Sequence, residues 1–249
     1  MKRVLWTRDQ LILAINLYCK TPFGRIHKEN PDIIKLSKLI NRTPSALAWK
    51  MANFAHLDPS LSRKGASNVA KQDIEIWNEF FNNWEELGFE SEKLLNSFFT
   101  DKKYDSEDLK NIPEGKDKER LVRTRVNQAF FRQTVLASYN FKCCITNIAI
   151  PDLLIGSHIV PWAKDNKNRL NPRNGLCLNA LHDKAFDCGI ISISEGFKII
   201  VSPKFKKLYN GDAEQKFILN YEDTPLNKPN RFIPNETFLS YHRNNIFQS

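Results

Sequence analysis

From Phe141 to Ile193 the chain reads FKCCITNIAIPDLLIGSHIVPWAKDNKNRLNPRNGLCLNALHDKAFDCGIISI, and no other stretch constrains the fold as tightly. Leu153 to Ile159 is a short apolar run of strand length that carries His158 near its end. A polar loop rich in Pro and Asn follows, and Leu176-Cys177-Leu178 reads as the returning strand. Asn179 to Asp187 then starts a short helix with His182 one turn in, facing back toward the strand. His158, Asn174 and His182 thus stand in fixed order on a strand, a loop and a helix.

Those residue types suit the hydrolysis of a phosphodiester. Such a reaction needs an activated water, charge stabilised on the phosphorus oxygens and a leaving 3′-oxygen that is not expelled bare. A neutral histidine takes the water proton near pH 7, because its unperturbed pKa is about 6.5. A divalent cation neutralises the phosphate and the leaving oxygen. Taken singly, His158 would more often be a core histidine, His182 usually a surface one and Asn174-Gly175 a turn.

The segment resembles the HNH endonuclease family, whose site is a two-stranded hairpin, a helix and a metal. The resemblance is to the branch reading SHI-x-PW, NP-x-NGL and a histidine-containing helix ending in FD. Here these are Ser157-His158-Ile159 with Pro161-Trp162, Asn171-Pro172 with Asn174-Gly175-Leu176, and His182 with Phe186-Asp187. It implies His158 as general base, Asn174 as a positioning residue and His182 as a metal ligand. Before the base histidine many such sites carry Asp or His as a ligand; Ser157 stands there in this chain, leaving water or a carboxylate such as Asp183 or Asp187 to complete the shell. Cys143-Cys144, Cys177 and Cys188 form no CxxC pair, so structural zinc is not expected, and one Mg²⁺ or Mn²⁺ ion is. The resemblance extends loosely upstream, with Arg132 and Tyr139 as landmarks, and to the WTRDQLILAINLY and NRTPSALAWKMANF segments, which resemble restriction endonucleases.

The first 56 residues read as three helices. Thr7-Arg8-Asp9-Gln10 is a capping box ahead of an apolar face, and Asn30-Pro31 and Thr43-Pro44 open two further helices. A second helix, a tight turn and a third helix make the helix-turn-helix plan, which offers Arg42, Ser45, Ala46, Trp49, Lys50 and Asn53 to a DNA groove. A trihelical packing module with Trp49 in its core fits the same pattern. Residues 71–98 regain helical periodicity, and a long helix is expected from about Lys118 to Ser138. Its Arg120, Arg123, Arg125 and Arg132 either grip phosphates or pair with the acidic middle segment.

The fold class expected is α+β. A helical, helix-turn-helix-like DNA-binding domain would span 1–98, a linker 99–117, and an HNH nuclease domain with lead-in helix and C-terminal extension 118–249. Residues 1–70 carry 12 Lys and Arg against 4 Asp and Glu, residues 71–117 carry 6 against 13, and residues 118–249 carry 19 against 11. Two basic blocks suit a polyanion. No apolar run spans a bilayer, no secretion signal opens the chain, and five irregularly spaced cysteines fit a reducing cytoplasm. The function expected is metal-dependent DNA endonuclease of restriction type, leaving, as the resemblance implies, 5′-phosphate and 3′-hydroxyl ends. Its partner would be double-stranded DNA, with a homodimer if both strands are cut. The alternatives are a DNA-binding regulator with a decayed site and a nicking or structure-selective nuclease of a mobile element.

Overall fold

The structure, a computed structural model, describes residues 5–61, 65–98 and 116–249, with the backbone alone at 116–122. The fold is α+β, and the chain divides into two compact units, 1–131 and 132–249. Of the linker expected at 99–117, residues 99–115 lie outside the described residues, as does the side chain of Arg120.

In the first unit, α1 (Arg8–Lys20) opens with both bonds of the capping box. Thr7 Oγ1 accepts the Gln10 amide at 3.2 Å, and Gln10 Oε1 accepts the Thr7 amide at 3.2 Å. Asn30 caps α2 (Pro31–Leu39) and Thr43 caps α3 (Pro44–Leu57), each followed by Pro at the first helical position. The apolar face of α1 is wholly buried against α3 and against α5 (Trp84–Phe98). Tyr18, Phe54 and Trp77 fill the centre with ring centroids 6.0–6.5 Å apart, and the buried Tyr18 hydroxyl donates to Asp58 at 2.7 Å. The helical periodicity over 71–98 resolves into two helices, α4 (Lys71–Phe80) and α5. Asn82 breaks them apart with φ +79°, a left-handed conformation that asparagine tolerates better than most residues.

Helix α6 (Lys116–Ser138) contributes to both units. In the second, β1 (Leu154–His158) pairs antiparallel with β2 (Gly175–Asn179), with His158 opposite Gly175. Gly156 lets the hairpin lie close to α6, since a Cβ there would stand 3.0 Å from the Arg132 Cα. Helix α7 (Ala180–Asp187) starts at Asn179, whose side chain caps it, and packs on both strands. It stops at Gly189, whose φ of +71° closes the turn. A second hairpin, β3 (Ile191–Ile193) with β4 (Ile199–Val201), is followed by α8 (Pro203–Leu208) and α9 (Asp212–Phe217). Helix α10 (Glu236–Asn245) packs on β3 and sets His242 against Phe186, rings 3.6 Å apart and 13° from parallel.

Candidate active site in the hairpin and helix

A cleft of about 280 Å³ lies where the end of β1 faces α7. His158, Ser157 and Trp162 line it from the strand side, and Asp183 and Asp187 from the helix. The two carboxylates share a helix face because they are four residues apart. The intervening Ala185 and Phe186 are buried in the core.

His158 is held by its surroundings. Its Nε2 lies 2.8 Å from the Arg169 carbonyl, which can only accept, so Nε2 carries the proton and Nδ1 is the basic nitrogen. Trp162 stands edge-on at 5.5 Å, with the Arg169 guanidinium 5.0 Å from the Trp162 ring centre. Burial holds the His158 pKa below its ordinary value, against the opposing pull of the Arg169 carbonyl and the Asp183 charge. The ring is therefore neutral at pH 7, as a proton acceptor must be.

Asn174 does not touch the cleft. It is fully buried, and its Oδ1 accepts the Val160 amide at 2.8 Å while its Nδ2 donates to the Val160 carbonyl at 3.2 Å. Its own carbonyl accepts the Ile159 amide at 3.0 Å. The asparagine thus clamps the chain directly after His158 to the far side of the loop.

His182 faces away from the cleft. It is 3% exposed, its Nδ1 accepts from Asn179 Nδ2 at 2.9 Å, and its Nε2 donates to the Phe217 carbonyl at 3.0 Å. With both nitrogens engaged in the core, it has no lone pair to give a metal. The expectation of His182 as a metal ligand does not fit this geometry, and the next residue lies about 100° further around the helix. Asp183 takes the cleft-facing place, with Asp187 one turn on, the two carboxylates that the sequence offered as alternatives. Asn179 and His182 also meet Cys143, which is buried and accepts the Asn179 amide at 3.3 Å, so this trio anchors the start of α7.

Oxygen donors fit a hard divalent cation here. Burial, and then the Asp183 charge, raise the Asp187 pKa, a repulsion that a cation between them removes. The Ser157 hydroxyl is buried and has no hydrogen-bond partner among the described residues. No group of three or more His, Cys, Asp and Glu is gathered among the described residues. Two carboxylates and a hydroxyl would leave the remaining positions of such an ion to water or another oxygen ligand, as Mg²⁺ sites commonly do.

The other sequence candidates disperse. Arg132 donates to the Leu154 carbonyl at 2.8 Å and the Pro151 carbonyl at 3.1 Å, bracing the entry to β1. Arg123 pairs with Glu85 at 3.3 Å and Glu86 at 2.9 Å, so it joins the acidic segment. Arg125 is exposed. In the first unit Ser45 and Trp49 are exposed, but Lys50 and Asn53 are not: they are 7% and 4% accessible. Lys50 is locked to the buried Asp73 at 2.6 Å, and Asn53 donates to the same carboxylate at 3.4 Å. Arg42 is half-buried and donates to Gln10 at 2.8 Å and to the Leu5 carbonyl. Trp49, 62% exposed, is not in the core of the unit.

With this geometry in hand, residues 143–194 match the family model of the HNH endonucleases. The match covers about a fifth of the 249 residues and marks an HNH endonuclease domain within the second unit. Among solved structures the chain is similar to a modification dependent TagI restriction endonuclease, at 20% identity and a TM-score of 0.35. That similarity covers 47% of this chain and 38% of the other. Curated proteins give no match. No helix among the described residues is long and apolar enough to cross a membrane.

Proposed function

We propose that the protein is a metal-dependent DNA endonuclease whose site is the cleft between β1 and α7. The single observation that carries this reading is the convergence of His158, Ser157, Asp183 and Asp187 on one small cleft within an HNH endonuclease domain. His158 Nδ1 takes the proton of the attacking water, while Nε2–H stays on the Arg169 carbonyl and fixes the ring. Asn174 positions His158 through the backbone that follows it. Asp183, Asp187 and Ser157 would hold the ion, Mg²⁺ or Mn²⁺, in place of the His182 expected from sequence. Such an ion supplies charge neutralisation at the phosphate and at the leaving 3′-oxygen. The products are then a 5′-phosphate and a 3′-hydroxyl. The first unit contributes DNA binding, and one site per chain makes double-strand cutting the work of two copies. The sequence resemblance supports a restriction role.

The test is cleavage of supercoiled plasmid and of unmodified and methylated phage DNA, with Mg²⁺, with Mn²⁺ and with EDTA. Discrete fragments that need metal and vanish in His158→Ala support the reading, and open circles alone favour a nicking enzyme. Full metal-dependent activity in His158→Ala removes the histidine from its role. DNA binding without cutting under any condition favours the regulator.

A further inference from the structure

A concavity lies in the first unit. It has a volume of about 730 Å³ and lies along one face of α3, in the range of ~300–1,000 Å³ typical of small-ligand sites. Trp6 and the exposed Trp49 give it two indole surfaces, and Lys50, Asn53 and Asp73 give it a polar floor. A recognition helix reads a DNA groove with exposed side chains. Here Lys50 and Asn53 of α3 lie at the bottom of a hollow that a single planar group can enter, while Ser45 and Trp49 stay exposed.

The chemistry of the floor selects the class of that group. Lys50 and Asp73 neutralise each other through contacts of 2.6 and 2.7 Å, so the floor is a poor seat for a phosphate, and the Arg42 guanidinium, which also lines the hollow, lies 4.7 Å from the Trp6 ring centre. The Lys50 ammonium also stands 5.2 Å from the Trp6 ring centre. The Asn53 side-chain oxygen is buried and has no hydrogen-bond partner among the described residues, so it is an acceptor without a donor. Aromatic surface with a neutral, hydrogen-bonding floor suits a nucleobase. The surplus of positive charge over residues 1–70 suits the strand that carries it.

We propose that this hollow takes one unstacked base of the DNA, stacked on Trp49 and hydrogen-bonded at the Asn53 end. The proposal rests on the DNA reading above and deepens it: the first unit reads an extruded base rather than a groove. The test uses the full chain in EDTA and a single-stranded dodecamer with 2-aminopurine at its centre among thymidines, dye-labelled at one end. Anisotropy of the dye reports strand binding, and 2-aminopurine emission reports stacking. The expected result is saturable quenching in the wild type and in His158→Ala. Trp49→Ala, a change at an exposed position, weakens the quenching curve by about tenfold or more, the loss expected for one base–aromatic stack. Strand binding without quenching, quenching unchanged in Trp49→Ala, or no strand binding each overturns the proposal. Plasmid cutting with Mg²⁺ or Mn²⁺, measured alongside, distinguishes its failure from that of the nuclease reading.

Discussion

Lowering the pH from 7 to 5 destabilises the second unit through His242. The ring is 1% exposed and stacked on Phe186. Its Nε2 donates to the Phe186 carbonyl at 3.0 Å, so its Nδ1 accepts from the Ser192 hydroxyl at 2.8 Å. The Ser192 bond therefore requires the neutral ring, whereas Nε2–H donates to the Phe186 carbonyl in either form. Burial first, and then the neighbouring Arg243 charge, outweigh the Phe186 carbonyl and lower its pKa to about 4. An unfolded histidine titrates near ~6.5, so between these values the unfolded chain binds more protons than the folded one. The stabilisation is complete above the unfolded value and is lost as the pH falls toward the folded one. At pH 5, still above the range of ordinary carboxylates, the loss amounts to about 2 kcal/mol, and the full shift to about 3 kcal/mol. Urea unfolding followed by far-UV circular dichroism at pH 7, 6 and 5 reads it, with His242→Gln as reference. His158, also held below its ordinary value, acts in the same direction in both proteins and cancels in the comparison. Equal pH dependence of wild type and His242→Gln would refute the reasoning.

Other perturbations separate the roles of residues that sit side by side. Asp187→Asn lowers Mn²⁺ affinity by at least about tenfold in calorimetric titration, yet leaves the metal-free protein as stable or more so, because it removes the weaker partner of a like-charge pair. His182→Phe does the reverse: it leaves Asn179 and the Phe217 carbonyl without their partner and costs about 2–4 kcal/mol in urea unfolding, with Mn²⁺ affinity of the folded protein little changed. Gly189→Ala combines a positive φ with a Cβ driven into the Ile246 carbonyl oxygen and is expected to lower stability by at least about 3 kcal/mol, read as a lowered denaturation midpoint.

What the sequence made legible is what depends on neighbours along the chain. The Thr7, Asn30 and Thr43 caps are visible because a capping side chain acts within three residues. The hairpin and α7 are visible because the apolar runs and Asn179 are local signals. Lys50 and Asn53 defeat the same reading, since the carboxylate that draws them inward is Asp73, 23 and 20 residues away. His182 misleads for a similar reason: its acceptor, the Phe217 carbonyl, lies 35 residues on and turns the ring into the core. The break at Asn82 escapes because asparagine in a helical pattern signals a left-handed residue only weakly.

The cysteines carry a practical consequence. Cys19, Cys143, Cys144 and Cys177 are sealed inside the folded chain, while Cys188, next to Asp187, is exposed. A thiol-reactive fluorophore or nitroxide therefore attaches to the native protein at one point, beside the carboxylate. Occupancy of the cleft by paramagnetic Mn²⁺, or the arrival of a DNA strand, can then be followed spectroscopically without engineering a handle.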